Sequence, residues 1–186
     1  LSGDNTYAGG TILDAGTTQV GHNNAFGSGT IDLSAGAIQA SVAARVLPNP
    51  VTISASSTIG GALDLTFAGA VNLTASPTLT VSNTGVTTFS GAISHGATSR
   101  TLTKAGTGKL VLAGANSYTG ATTVSAGALN IQNSSGLGTA AGATTVSSGA
   151  VLELQNNISV VGEGLTLTGT GVASGGALRN VAGDST

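Results

Sequence analysis

The sequence predicts an all-β fold of short stacked coils, a parallel β-helix of about nine coils that occupies residues 1–186 as one segment. Three observations predict it. The composition starves helices and supplies turns, Gly-marked turns return at short and nearly constant steps, and a longer repeat lays the start of the chain on a later stretch.

Charged residues are 6 % of the chain, against about 25 % in an ordinary soluble domain. Thr, Ser, Asn and Gly stand where the Lys, Glu and Arg of an exposed helix face would be, so almost no helix is expected. Gly takes 30 of the 186 positions, roughly twice the usual ~7 %. Hydrophobic content is 40 % and mean hydropathy +0.33, enough apolar material for a core. Disorder pairs low hydrophobicity with high charge, and this chain has neither.

Formal net charge is −2 and the pI about 5.4, with five basic residues scattered along the chain. That leaves no electrostatic footprint for nucleic acid or an anionic membrane. No apolar run approaches the ~18 residues of a membrane span, so no direct membrane insertion is expected. With no signal peptide at its start, the chain reads as an internal piece of a longer protein. The absence of Cys excludes a disulfide framework and thiolate chemistry.

The long repeat appears when the chain is laid on itself. Leu1–Val20 (LSGDNTYAGGTILDAGTTQV) aligns with Leu112–Ile131 (LAGANSYTGATTVSAGALNI), with eight of twenty positions identical. The shared positions include Gly3/Gly114, Asn5/Asn116, Tyr7/Tyr118, Gly9/Gly120, Thr11/Thr122 and Gly16/Gly127. Self-similarity at a fixed offset is the signature of repeat architecture.

Inside it runs the short period. Ala15-Gly16, Ala35-Gly36, Ala126-Gly127 and Ser148-Gly149 each precede an apolar strand. The step from Gly16 to Gly36 is nearly the same as the step from Gly127 to Gly149. Such a step is too short for a βαβ unit. It suits one coil of a solenoid, pairing in register with the next. Alternation then points Leu110, Leu112, Val124, Leu129, Ile131, Val146, Leu152 and Leu154 inward.

Residues 40–105 are less regular. Arg45-Val46-Leu47-Pro48-Asn49-Pro50 reads as a corner or loop, since proline lacks a ladder donor. Strands are expected at Val51–Ser54, Ala62–Phe67, Val71–Thr74, Thr78–Val81 and Val86–Phe89.

In both copies of the long repeat, Gly is followed by Asn-[Thr/Ser]-Tyr-x-Gly and then Thr. The Asn side chains can bond local backbone. The Tyr rings can plug a corner while the hydroxyl reaches water or a carbonyl. The preceding segment adds Phe89-Ser90-Gly91 and Leu102-Thr103-Lys104-Ala105-Gly106-Thr107-Gly108-Lys109-Leu110. Together, residues 89–131 resemble the passenger-associated transport repeat of bacterial autotransporter (type V secreted) passenger domains, and residues 1–20 resemble its second half.

The resemblance implies a right-handed parallel β-helix at the bacterial cell surface or secreted, within a longer passenger domain. It implies an outer-membrane β-barrel translocator on the same polypeptide as partner, and a role for the repeats in secretion and folding. A host or neighbouring-cell surface, contacted as an adhesin contacts it, is the alternative partner. The repeat residues are Gly3, Asn5, Tyr7, Gly9, Thr11, Gly16, Lys104, Gly106, Gly108, Leu110, Gly114, Asn116, Tyr118, Gly120, Thr122, Gly127 and Leu129.

Catalytic, cofactor and metal sites are not expected. His22 and His95 lack a second ligand at metal spacing. Gly183-Asp184-Ser185 has no matched His-Asp pair. The seven acids (Asp4, Asp14, Asp32, Asp64, Glu153, Glu163 and Asp184) come without the aromatics a polysaccharide enzyme would use. Gly106-Thr107-Gly108-Lys109 lacks the earlier Gly and the later hydroxyl of a phosphate loop, so Lys104 and Lys109 are expected to keep an exposed coil soluble. The pairs Thr78/Thr80, Thr101/Thr103 and Thr166/Thr168 fall at uneven spacing, which predicts a broken threonine ladder.

Overall fold

A computed structural model of the protein describes residues 1–183 and 185–186. Each coil is made of strands of three to six residues separated by turns. The first coil holds β1 (Thr11–Leu13) and β2 (Thr17–Val20). The second holds β3 (Ile31–Leu33), β4 (Ala37–Ala40) and β5 (Arg45–Leu47). The third holds β6 (Val51–Ile53), β7 (Ser57–Ile59) and β8 (Leu65–Phe67), and the fourth β9 (Val71–Leu73), β10 (Thr78–Val81) and β11 (Val86–Phe89). The fifth holds β12 (Ile93–His95), β13 (Leu102–Ala105) and β14 (Lys109–Leu112). Two strands make each later coil: β15 (Thr122–Val124) with β16 (Gly127–Ile131), β17 (Thr144–Val146) with β18 (Ala150–Gln155), and β19 (Leu165–Leu167) with β20 (Leu178–Ala182).

Every strand pairs in parallel with its counterpart one coil away, which gives three sheets. The first face runs β1-β3-β6-β9-β12, the second β2-β4-β7-β10-β13-β15-β17-β19, and the third β5-β8-β11-β14-β16-β18-β20. The architecture is a parallel β-solenoid. Among the described residues there is no α-helix, only a 3-10 turn at Val172–Ser174.

Two expectations need correction. Eight strands on the second face make seven steps, so the rod has about seven turns rather than nine. At ~4.8 Å per step it is roughly 34 Å long. Residues before Thr17 and after Leu167 add no rung to that face. Arg45–Leu47 is a strand, not a loop, because the two prolines lie beyond its last ladder position. Ser57–Ile59 and Ile93–His95 are strands that the sequence reading did not predict.

The core is one continuous column. Leu110, Leu112, Val124, Leu129, Ile131 and Val146 have no exposed surface, Leu152 is nearly as buried, and Leu154 packs against them partly buried. Phe67 and Phe89, in register on β8 and β11, stack with ring centroids 4.7 Å apart. Such an offset pair contributes ~0.5–1.5 kcal/mol beyond its buried area.

The outer side of the second face carries a further correction. Thr78 pairs with Thr103, Thr103 with Thr123, Thr123 with Thr145, and Thr145 with Thr166. The threonine column is continuous across five coils.

Candidate functional site

The long repeat becomes a set of identical bonds between successive coils. Asn116 Nδ2 donates to Gly136 O one coil on (2.7 Å), and Asn5 Nδ2 donates to Ala25 O (2.8 Å). The backbone amides follow: Asn116 N to Ser135 O and Asn5 N to Asn24 O, both 3.2 Å. Thr139 N donates to Tyr118 O, and Ser28 N to Tyr7 O, both at 3.0 Å. Tyr118 Oη bonds Thr122 Oγ1 at 2.7 Å, and Tyr7 Oη bonds Thr11 Oγ1 at 3.0 Å. In every case both partners move along the chain by the same offset, the one that carries Leu1 onto Leu112.

Asn116 also works backwards. Its Oδ1 accepts from Ile93 N (2.8 Å) on β12, and Ser117 N donates to Ile93 O (2.8 Å). One carboxamide therefore ties three coils. Backbone groups left unpaired inside the stack would each cost ~1–3 kcal/mol, so the segment 113–121 keeps its place on the first face without being a strand.

Tyr118 has no exposed surface, while Tyr7, with a coil stacked on one side only, is 41 % exposed. Burial pushes the Tyr118 hydroxyl well above its ordinary range, against the opposing effect of its bond to Thr122. The Tyr118 hydroxyl meets a threonine rather than the water or carbonyl expected for a corner plug, whereas the Tyr7 hydroxyl also reaches a carbonyl, Ala25 O, at 3.5 Å. The coil that follows fits under the ring by narrowing to glycine. A Cβ on Gly138 (φ +88°) would lie 2.3 Å from Tyr118 O, and one on Gly27 (φ +57°) 2.0 Å from Tyr7 O.

Lys104 is the largest departure from the sequence reading. It does not keep an exposed coil soluble; it has no exposed surface at all. Register explains why: Lys104 pairs with Leu79 before it and Val124 after it, at inward positions of the second face. Its stem lies in the core and its ammonium is capped at a corner, where Nζ donates to Gly106 O (2.6 Å) and Ala126 O (2.9 Å) on adjacent coils. Burial pulls its pKa down to about 8. A Cβ on Gly127 (φ +66°) would come within 2.7 Å of Nζ, so glycine there makes room for the amine. Lys109 is surface-exposed in part and bonds Glu153 Oε2 at 2.7 Å.

The remaining motif residues are spread around these anchors. Leu110 and Leu129 pair in register within the core, and Gly106, Gly108, Gly114 and Gly120 sit against backbone of the preceding coil. Gly3, Gly9 and Gly16 are exposed in the first coil, and Thr11 is held by Tyr7. Sequence reasoning missed the acceptor side of the site: Ala25 and Gly136, and the glycines Gly27 and Gly138. The one signal was Gly27/Gly138, identical at the same offset just beyond the aligned stretch.

The other candidates are dispersed. His22 Nδ1 accepts from Asn24 N, and His95 bonds Gly96 O and Thr119. Asp14 accepts from Ser34 Oγ, Asp32 from Ser54 Oγ and Asp64 from Val86 N, each one coil on, so these acids stitch coils. Glu153 is gripped by Lys109 and Arg179, and Glu163 by Thr144. No group of three His, Cys, Asp or Glu side chains that could hold a metal occurs among the described residues. In the Gly183-Asp184-Ser185 candidate, Asp184 lies outside the described residues.

Residues 1–20 and 102–131 match the family described as Passenger-associated-transport-repeat. The chain carries the transport repeats of autotransporter passengers. Over 104 residues, 56 % of the chain, it is 39 % identical to the Adhesin BmaC autotransporter of Brucella suis biovar 1 (strain 1330). The match spans 3 % of that relative's length. No solved structure matches the chain. A passenger segment of this family lies at the bacterial surface or is secreted.

Proposed function

We propose that this chain is a structural, non-catalytic stretch of an autotransporter passenger, in which the transport repeats lock each emerging coil onto its neighbour. The carrying observation is the duplicate set of coil-to-coil bonds at Asn5/Tyr7 and Asn116/Tyr118. In this reading the partner is an outer-membrane β-barrel translocator on the same polypeptide. Coils that fold outside template the next by nearest-neighbour stacking, which biases transit outward. The chain suits that route, having no disulfide to lock it and few charges to carry across.

The test is export of the complete passenger–translocator polypeptide carrying Asn116→Ala, which removes two inter-coil bonds worth about 2–3 kcal/mol together. Surface exposure is followed over time by protease accessibility. Slower appearance at the surface with unchanged synthesis is the expected result. Export at the wild-type rate, with the isolated rod measurably destabilised, would sink the proposal.

The name of the Brucella relative, an adhesin, favours a second reading: contact with a host or neighbouring-cell surface. Loops that interrupt the period, such as 41–44 and 96–101, are where such contacts would gather.

A further inference from the structure

A lateral cleft of about 500 Å³ opens across the first three coils, within the ~300–1,000 Å³ range of small-molecule sites. Its floor is rigid. Pro48 and Pro50 bracket Asn49, whose Nδ2 is committed to Gly27 O (3.0 Å) and Gly29 O (2.7 Å) one coil back. Asn49 is 2 % exposed, and its Oδ1 has no hydrogen-bond partner. In the same lining the Asn24 carboxamide donates to Asp4 Oδ1 at 2.9 Å, and Thr6 and Ser28 line the cleft too.

The second copy of the repeat is an internal control. It builds the same coil-to-coil bonds, yet at the equivalent positions Asp4 becomes Ala115 and Asn24 becomes Ser135. The carboxylate–carboxamide pair is therefore not needed for stacking. The Asp4–Asn24 bond itself joins two coils, but the second copy of the repeat stacks without it.

We propose that this cleft binds a neutral saccharide through a pair of adjacent hydroxyls. A carboxylate beside a carboxamide offers acceptors and a donor at neighbouring points, the pattern that two vicinal hydroxyls complement. The exposed rings of Pro48 and Pro50 give the C–H face of a sugar a surface to rest on. No basic group lines the cleft, which disfavours phosphate or another anion, and a single carboxylate is poor provision for a divalent cation. The Asn49 side chain, already held by its bonds, needs no ordering on binding. The proposal goes beyond the folding role and stands on the cleft alone.

The test is amide-resolved NMR of the intact ¹⁵N-labelled chain, titrated separately with methyl galactoside, methyl mannoside, methyl fucoside, N-acetylglucosamine, N-acetylneuraminate and calcium chloride. A neutral sugar should shift the amides of residues 4–6, 24–28 and 49, with a dissociation constant on the order of 1–10 mM. Asp4→Ala with Asn24→Ser, which copies the residues of the second repeat, should weaken binding at least ~10-fold while distant amides keep their positions. Asp4→Asn, nearly the same size, should weaken it in the same direction. No shift with any neutral sugar would overturn the proposal. So would tighter binding of neuraminate or calcium at these amides, equal shifts at residues 115–117 and 135–139, or undiminished binding by the variants.

Discussion

Replacing Lys104 by methionine tests whether a lysine really sits in the core ladder between Leu79 and Val124. In the folded protein the amine titrates at about 8, against 10.5 when solvated. Between those values the unfolded chain holds the proton more tightly than the folded one, so raising the pH favours folding. The full difference is present as a penalty below pH 8 and is relieved as the pH approaches 10.5. Between about pH 7 and 9.5 the gain works out at about 1–2 kcal/mol. Tyr118 acts in the opposite sense: its raised pKa means stability is lost at higher pH, above the ordinary tyrosine range near 10, so the window stops short of it. Glu163, also raised by burial, acts in the acid range and leaves the window untouched. The assay is urea unfolding followed by far-ultraviolet circular dichroism at several pH values. Wild type should gain stability across the window, and Lys104→Met should be flat. A flat wild-type profile, or an equal rise in the variant, would refute the reasoning.

Two further predictions concern the repeat itself. Tyr118→Phe keeps the ring and removes only the bond to Thr122 Oγ1. It should lower stability by about 1 kcal/mol and abolish the alkaline loss assigned to Tyr118, the first read from the same urea series and the second from its extension above about pH 10. Gly138→Ala combines a left-handed φ with a Cβ 2.3 Å from Tyr118 O, whereas a Cβ on Gly9 meets nothing within 4 Å. Thermal melts should show a loss of more than about 2 kcal/mol for Gly138→Ala and under about 0.5 kcal/mol for Gly9→Ala.

The stacked architecture was legible because glycine turns and alternating apolar strings recur at nearly constant steps. The inward set from Leu110 to Leu152 follows from alternation alone. The threonine column was not legible, because the steps are unequal: the paired positions Thr78 and Thr103 lie further apart in the chain than Thr103 and Thr123 do. Counting at one fixed period loses the register there. Lys104 misled for a different reason. Side-chain type says surface, and only its ladder partners reveal that the stem points inward. In the repeat, Asn116 and Tyr118 could be picked out as side chains. Their acceptors on the next coil could not, since backbone carbonyls carry no sequence signature.

The bonds that join one coil to the next run along the length of the rod, because each parallel strand pairs only with its counterparts above and below. A pull on one end of the chain therefore loads a single layer at a time, and the rod peels instead of shearing. Asn116, which bonds the layer before it and the layer after it, adds a side-chain attachment at two successive steps of such peeling. A solenoid built this way yields in small steps and halts where such residues recur. After each halt the remaining coils stay folded as a seed on which the released chain can rewind.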